Sequence, residues 1–197
     1  LKTAKEVIDP EHKPTEKHAQ TLIDALENSP ISYAVIGGIA SGYYGEPYPT
    51  RDLDLAISIK PETAAELLEI LNRLGFDHNC RTLTDVLQTP CIYAIDQKNA
   101  VRVDLWTKPK GLILDKESLE RRRRIKPEGW PEMWLVSAED LSIMKLAAHR
   151  PRDIEQIQTI LIRRRKEIDW KYLEKRAEQH NVQPELTEIQ AKLKLTK

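Results

Sequence analysis

Apolar residues recur along this chain with two periods, and each period predicts one type of secondary structure. In residues 15–28, Leu22, Ile23 and Leu26 lie on one stripe of a helix whose remaining positions are polar. Residues 61–74 repeat this helical spacing between a proline at the start and a glycine just past the end. Two amphipathic helices, each with one apolar face toward a core, are therefore predicted in the first half of the chain.

Strands are predicted where β-branched and aromatic residues cluster or where polar and apolar residues alternate. Residues 52–59 alternate strictly, so that Asp52, Asp54, Ala56 and Ser58 should share one face while leucine and isoleucine side chains fill the other. One face is then expected to be core and the other a site. The predicted strands cover residues 33–36, 52–59, 91–95 and 101–106, with the last two joined by a polar turn.

Beyond Gly111 the pattern changes, because a basic and irregular segment leads to sequence that is helical only. Ser137 precedes Asp140 by three positions, which is an approximate capping box at a helix start. Pro151 suits the first position of the next helix. The predicted helices cover residues 138–150, 151–162, 169–180 and 184–195. We place a boundary between a mixed α/β part, residues 1–110, and a mainly helical part, residues 111–197.

Composition adds little to the choice of partner. Lys plus Arg equals Asp plus Glu at 31 each, so net charge provides no argument for nucleic acid. Cys80 and Cys91 form no CxxC pair, which favours neither a disulfide framework nor a zinc site and suits a reducing compartment. No apolar run approaches about 18 residues and the N-terminal segment is polar, so we expect a cytoplasmic protein without a membrane partner.

Three aspartates are the candidate chemistry. Asp52 and Asp54 are two apart on a predicted strand, so both carboxylates project from one face, although an isolated Asp-x-Asp is more often a solvated strand face. Asp104 occupies the equivalent outward position on residues 101–106, beside Arg102 and Trp106. If the two strands are neighbours, the three carboxylates converge. Such a set can hold two Mg²⁺ ions about 4 Å apart, as in two-metal phosphoryl transfer, and Mg²⁺ or Mn²⁺ is the expected cofactor.

A phosphate-binding turn is predicted beside this site. Gly37 and Gly38 follow a predicted strand, and Ser41 lies within the next helical turn. Backbone N–H groups at such a helix start bind anions well. A glycine pair by itself more often marks an ordinary turn, but together with the aspartates it becomes specific.

The chain resembles a known superfamily at these positions. The chain has a Gly37-Gly38 pair followed, after thirteen residues, by Asp52-Leu53-Asp54-Leu55. This spacing resembles the signature of polymerase-β-like nucleotidyltransferases, in which Asp104 would be the usual third carboxylate. The run GGIASGYYGEPYPTRDLDLAI is similar to AbiEii-type and related minimal nucleotidyltransferases, several of which are toxins or antitoxins. The segment SAEDLSIMKLAAHRPRDIEQI resembles the region C-terminal to the catalytic core in that group, so the likeness covers roughly residues 30–165.

The resemblance implies an α+β fold, with a nucleotidyltransferase-like mixed sheet flanked by helices and a helical C-terminal part. Residues 1–110 would then be the catalytic core with its N-terminal helix, and residues 111–197 would complete the cleft. It implies metal binding by Asp52 and Asp54, and a ligand or base role for Asp104. The implied nucleotide-binding residues are Gly37, Gly38, Ser41, Thr50, Arg51 and Lys145. The alternatives are a strand cap and surface charge for Thr50 and Arg51, and a snorkelling surface lysine for Lys145.

By the same resemblance the donor is a nucleoside triphosphate and the leading acceptor is RNA, with tRNA 3′ ends foremost. A cognate toxin or antitoxin protein is a further expected partner. Two basic runs, residues 121–124 and 163–166, suit RNA phosphates or equally well solvated helix ends. Two features favour the larger AbiEii-like subgroup. The chain has Gly-Gly where smaller antitoxin-like members have Gly-Ser, and its C-terminal helical part is long. Competing hypotheses are transfer to a protein side chain, as in AMPylating antitoxins, transfer to an aminoglycoside-type small molecule, and a non-catalytic binding protein.

Overall fold

A computed structural model of the chain describes residues 13–47, 50, 52–97, 101–126 and 131–194. Helices and strands alternate through most of this part of the chain. The helices are α1 (Lys13–Glu27), α2 (Gly37–Tyr44), α3 (Pro61–Arg73), α4 (Leu83–Gln88), α5 (Lys116–Glu120), α6 (Ala138–Ala148), α7 (Pro151–Arg163), α8 (Trp170–Gln179) and α9 (Gln183–Lys192). The strands are β1 (Ser32–Val35), β2 (Leu53–Ser58), β3 (Asp77–His78), β4 (Cys91–Asp96), β5 (Val101–Trp106), β6 (Arg123–Ile125) and β7 (Met133–Leu135).

Within the described residues the strands form one seven-stranded sheet in the order β3-β4-β5-β2-β1-β7-β6. Strand β2 runs parallel to β5 and β1 runs parallel to β7, whereas the other neighbours are antiparallel. The sheet is therefore mixed, and the predicted α+β fold class is confirmed.

The core forms where the two hydrophobic periods meet. The apolar stripe of α1, Leu22, Ile23 and Leu26, is completely or almost completely buried, as the helical spacing predicted. Leu53 and Leu55 of β2 are buried in the same cluster. Ala56 lies on the aspartate face of β2, yet it too is fully buried. The prediction of one core face and one open face is thus wrong at Ala56, whereas Asp54 and Ser58 on the same face are half-buried.

The prediction that only helices follow Gly111 is wrong, because β6 and β7 belong to the sheet. Val35 of β1 pairs in parallel with Leu135 of β7, so the sheet includes residues from both sides of the boundary placed at residue 110. Strands β6 and β7 have three residues each. A run this short shows no alternation, and it becomes a strand only by pairing with residues distant in sequence.

The structure also contains the short helix α4, which was not among the predicted helices. Thr82 caps it, with its side chain accepting a hydrogen bond from the backbone N–H of Asp85, and the Asp85 carboxylate accepts one in return. This reciprocal pair is a capping box with aspartate in place of glutamate. A six-residue helix carries too few apolar positions to show a stripe.

A buried arginine connects the C-terminal helices to the rest of the fold. The Arg176 side chain on α8 is almost completely buried, and it donates two hydrogen bonds to Asp115 at 2.7 and 2.9 Å. It also donates to the Tyr172 hydroxyl, which in turn donates to Asp140 on α6. These paired charges fix α8 against α6 and the start of α5. Among the described residues, no helix is both long enough and apolar enough to cross a membrane.

Candidate active site

Asp54 and Asp104 lie side by side on neighbouring strands. The parallel pairing of β2 with β5 places their Cα atoms directly opposite each other, at the strand spacing of about 4.8 Å. Asp52 lies immediately before the start of β2, two positions from Asp54, and is exposed; it is close enough for its charge to contribute to raising the pKa of Asp54, after the effect of burial. The strand adjacency on which convergence of the three carboxylates depended is therefore present.

The carboxylate of Asp54 contacts Trp106 and the start of α2. The indole N–H of Trp106 donates to Oδ1 at 3.3 Å, and a hydrogen bond from the backbone N–H of Gly38 acts to lower the pKa of this carboxyl. Gly37 has a φ of +60°, and a Cβ atom at that position would lie 2.0 Å from Oδ2 of Asp54. Only glycine allows this approach, because it lacks a Cβ and adopts positive φ without strain. The start of α2 thus packs directly onto a candidate metal ligand.

The charge around Asp54 favours a cation. Burial raises the pKa of Asp54, and repulsion from Asp104 and Asp52 raises it further, against the lowering effect of the Trp106 and Gly38 hydrogen bonds. The pKa of this carboxyl is raised overall. Carboxylates that destabilise one another in this way would be stabilised by a hard divalent ion.

Arg102 balances the charge of Asp104. Its guanidinium donates to both carboxylate oxygens, at 2.8 Å from Nε and 3.0 Å from the terminal nitrogen. The Arg102 side chain is 49% exposed, and that of Asp104 only 12%. Across the described ranges, no group of three or more His, Cys, Asp or Glu side chains, the three aspartates included, is arranged so that it could hold a metal ion as it stands. The alternation of β5 put Arg102 and Trp106 on this face, but the carboxylate that each one contacts depends on folded geometry.

The small residues expected to bind phosphate lie next to Asp54. Ser41 is buried, and its hydroxyl donates to the carbonyl oxygen of Gly37 at 2.7 Å within α2. The hydroxyl of Thr50 donates to the carbonyl oxygen of Asp52 at 3.4 Å, which supports the backbone at the entry to β2. Arg51 lies outside the described residues. The roles of these residues toward a nucleotide remain predictions.

Lys145 is buried in α6, so the interpretation as a snorkelling surface lysine is wrong. Its ammonium donates to Oδ1 of Asp153 at 3.2 Å and to Oε1 of Gln156 at 2.5 Å. Burial lowers the pKa of Lys145, whereas the Asp153 carboxylate opposes that effect. The hydrogen bonds of Lys145 therefore run to α7, and a triphosphate contact stays a prediction. Sequence alone could not reveal its burial, because its neighbours belong to other elements.

The face of β4 extends the site beyond Asp104. Tyr93 pairs with Asp104 across the β4–β5 ladder and is 45% exposed. The guanidinium of Arg102 lies 5.2 Å from the centroid of the Tyr93 ring. Cys91 pairs with Trp106, and burial, followed by repulsion from Asp104 and then Asp54, raises its pKa to about 12. The thiol is therefore protonated at neutral pH. Tyr93 and Cys91 could not be assigned to the site from sequence, because their placement depends on the register between strands.

Both arginine-rich runs make contacts inside the fold. All four residues of the first run and at least two of the second bind carboxylates or backbone carbonyls of other elements. The pairs are Arg121 with Asp169, Arg122 with the Tyr33 carbonyl, Arg123 with Glu167, Arg124 with Glu27, Arg163 with Glu46, and Arg164 with the Tyr43 carbonyl. The first run begins at the C-cap of α5, and its side chains pair with groups of other elements, so it is not a free basic patch.

A family model described as "Nucleotidyl transferase of unknown function (DUF2204)" matches residues 15–194. No curated protein matches the chain significantly.

Solved structures with a similar fold include the solution structure of the antibiotic-resistance factor ANT(2'')-Ia, with a TM-score of 0.54 and 12% identity over 93% of this chain and 96% of that one. JHP933 from Helicobacter pylori has a TM-score of 0.51 and 13% identity, over 93% of this chain and 79% of that one. The lincosamide antibiotic adenylyltransferase LnuA has a TM-score of 0.49 and 13% identity, over 74% of this chain and 98% of that one. At these identities the first two likenesses establish the fold.

Proposed function

Because the chain belongs to the family described as nucleotidyl transferase of unknown function (DUF2204), and so is a nucleotidyltransferase, we propose that Asp52, Asp54 and Asp104 form its catalytic site. The reaction is transfer of a nucleoside monophosphate from a nucleoside triphosphate to an acceptor hydroxyl. The observation that carries this proposal is the register of β2 against β5, which sets Asp54 beside Asp104, with Asp52 two residues before Asp54 in the sequence.

The donor set suits Mg²⁺ or Mn²⁺. Carboxylate oxygens are the ligands that hard divalent cations prefer. The repulsion that raises the pKa of Asp54 supports a cation at this point, and Gly37 leaves room where a side chain would collide with Oδ2. Asp52 and Asp54 would hold the metal, with Asp104 as a third ligand or as the base for the acceptor. When bound, the metal neutralises phosphate charge and polarises the phosphoryl oxygens.

In the transfer, the acceptor oxygen forms a bond to the α-phosphorus as the bond from that phosphorus to the bridging oxygen breaks. Pyrophosphate leaves with the electron pair of the broken bond, and the hydroxyl proton passes to Asp104 or to water. The start of α2 at Gly37 and Gly38 suits the leaving phosphates, because helix N-termini bind anions. Ser41, Thr50, Arg51 and Lys145 remain the further candidates for nucleotide binding.

For the acceptor, the resemblance to AbiEii-type proteins predicts RNA, with the tRNA 3′ end foremost, and a role in a toxin–antitoxin or phage-defence pair. The arginine-rich runs add no support for this acceptor, because their charges are largely paired within the fold. Transfer to a protein side chain or a small molecule therefore stands beside it.

The test is incorporation of label from each of the four α-³²P nucleoside triphosphates, with Mg²⁺ or Mn²⁺, into total RNA, total protein and a small-molecule extract. Wild type is compared with Asp54→Asn, which removes charge from a candidate ligand. Asp24→Asn is the matched control, because Asp24 is an exposed aspartate on α1, outside the sheet. We expect metal-dependent labelling by wild type and Asp24→Asn, and loss of at least about a hundredfold in Asp54→Asn.

The labelled fraction identifies the acceptor class. Equal labelling by Asp54→Asn and wild type would contradict the proposed site. If Asp54→Asn retained the affinity for a cellular partner and no preparation incorporated label, a non-catalytic binding role would replace the proposal.

A further inference from the structure

Two large apolar side chains are exposed on the sheet face next to Asp104. Tyr93 is 45% exposed and Ile95 is 40% exposed. The ladder between β4 and β5 pairs Tyr93 with Asp104 and Ile95 with Arg102. Aromatic and aliphatic surface that stays open beside a polar site commonly marks a contact for a ligand.

The order of the strands divides the site into two sides. The start of α2 contacts Asp54 on β2, whereas β4 lies on the far side of β5. Displacement at phosphorus requires the attacking and leaving oxygens to be in line, on opposite sides of the phosphorus. If pyrophosphate leaves toward α2, the acceptor must approach from β4, where Tyr93 and Ile95 are exposed.

We propose, on the basis of the proposed function, that Tyr93, Ile95 and Arg102 form the acceptor subsite. The acceptor is a small uncharged molecule that carries a planar ring beside the reacting hydroxyl. The Tyr93 ring and the Arg102 guanidinium, 5.2 Å apart, provide planar surfaces against which such a ring stacks.

The paired charge of Arg102 disfavours a chain of phosphates. Among the described residues Arg102 is the cation that contacts Tyr93, and its guanidinium is already bound by both oxygens of Asp104. Binding of a nucleic-acid strand relies on lysine and arginine side chains that are free to neutralise phosphates. Stacking on Tyr93 and contact with Ile95 suit a neutral ring, and the hydroxyl next to that ring then reaches Asp104.

Adenosine is the probe, because it combines an uncharged planar ring with sugar hydroxyls, and D-ribose is the same probe without the ring. The enzyme is first saturated with Mg²⁺ and α,β-methylene-ATP, an unreactive donor that also fills the nucleotide site. Binding of tritiated adenosine is then measured by equilibrium dialysis for wild type, Tyr93→Ala and Tyr93→Phe. Ile162→Ala is the control, since Ile162 is a large apolar residue, 56% exposed, on α7 and outside the sheet.

We expect adenosine to bind wild type, Tyr93→Phe and Ile162→Ala with similar affinity. Tyr93→Ala should bind it about tenfold more weakly, as loss of one ring-stacking contact implies, and ribose should not compete. Equal affinity of Tyr93→Ala and wild type, or no adenosine binding to the donor-loaded enzyme, would overturn the subsite. So would tighter, salt-dependent binding of a ten-residue oligoadenylate, which would indicate a nucleic-acid acceptor.

Binding of α,β-methylene-ATP, measured first in wild type and Asp54→Asn, separates the two proposals. If the donor analogue binds with dependence on Asp54 and the adenosine results fail, only the acceptor subsite is wrong. If the analogue does not bind wild type at all, the proposed function fails and the subsite fails with it.

Discussion

Replacing Gly37 by alanine tests the contact between α2 and Asp54. The added Cβ atom would lie 2.0 Å from Oδ2 of Asp54, whereas real Cβ atoms stay at least 3.0 Å from such a neighbour. The carboxylate and the start of α2 must therefore separate by about 1 Å. This displacement moves a candidate metal ligand without changing any carboxylate in the site.

The expected size of the effect comes from that displacement. The φ of +60° at Gly37 costs a residue with a side chain roughly 1–2 kcal/mol of folding free energy. A displacement of 1 Å in a catalytic constellation costs about a hundredfold in rate, or roughly 2.7 kcal/mol of transition-state stabilisation. We therefore expect Gly37→Ala to remain folded under assay conditions and to lose about a hundredfold of kcat/KM.

Two other glycines with positive φ provide matched controls. Gly75 has a φ of +75° and nothing within 4 Å of an added Cβ, so Gly75→Ala isolates the backbone strain. Gly111 has a φ of +71°, and its Cβ would lie 2.7 Å from the Ile143 carbonyl oxygen on α6. Gly111→Ala therefore combines strain with a collision away from the aspartates, and should lower the free energy of unfolding more than Gly75→Ala does.

The assay compares urea unfolding with the rate of label transfer from the accepted α-³²P triphosphate for all three variants. Only Gly37→Ala should lose more activity than its decrease in the free energy of unfolding explains, because only its added Cβ atom collides with Asp54. If the folded Gly37→Ala enzyme kept its kcat/KM within threefold of that of Gly75→Ala, the assignment of Asp54 to the catalytic site would be refuted.

Two single contacts provide the remaining predictions. Trp106→Phe removes the indole N–H that stabilises the ionised Asp54 carboxylate. The pKa of Asp54 should therefore rise further, and calorimetry should show an affinity for Mg²⁺ about tenfold lower than that of wild type. Unchanged affinity would contradict the role of the indole. Hydrogen bonds from Arg176 lower the pKa of Asp115 from 3.8 to about 2. This pair therefore stabilises the fold fully above about pH 4 and progressively less as pH falls toward 2. Asp115→Asn should lose that part of the pH dependence in thermal melts, and parallel curves for the two proteins would show that the pair does not contribute.

The local elements that carry the site could be predicted from the sequence. Alternation in residues 52–59 and 101–106 predicted two strands and put Asp52, Asp54 and Asp104 on outward positions, because successive side chains of a strand must point to opposite faces. The glycine pair at the start of α2 predicted a tight turn, since glycine adopts backbone conformations that other residues cannot adopt without strain. Each of these features depends on residues within one turn or one strand, so no knowledge of distant partners was needed.

Tertiary structure decided everything that joins distant parts of the chain. The indole of Trp106 reaches Asp54 across 52 positions, and β7 enters the sheet only because it pairs with β1. Burial of Lys145, and the exposure of Tyr93 beside Asp104, likewise depend on which elements pack together. The backbone geometry of helices and strands repeats over two to four residues, so it can be predicted from the local sequence. Strand pairing, strand register and the partner of each charged side chain are instead set by how the whole chain excludes water and satisfies its hydrogen bonds.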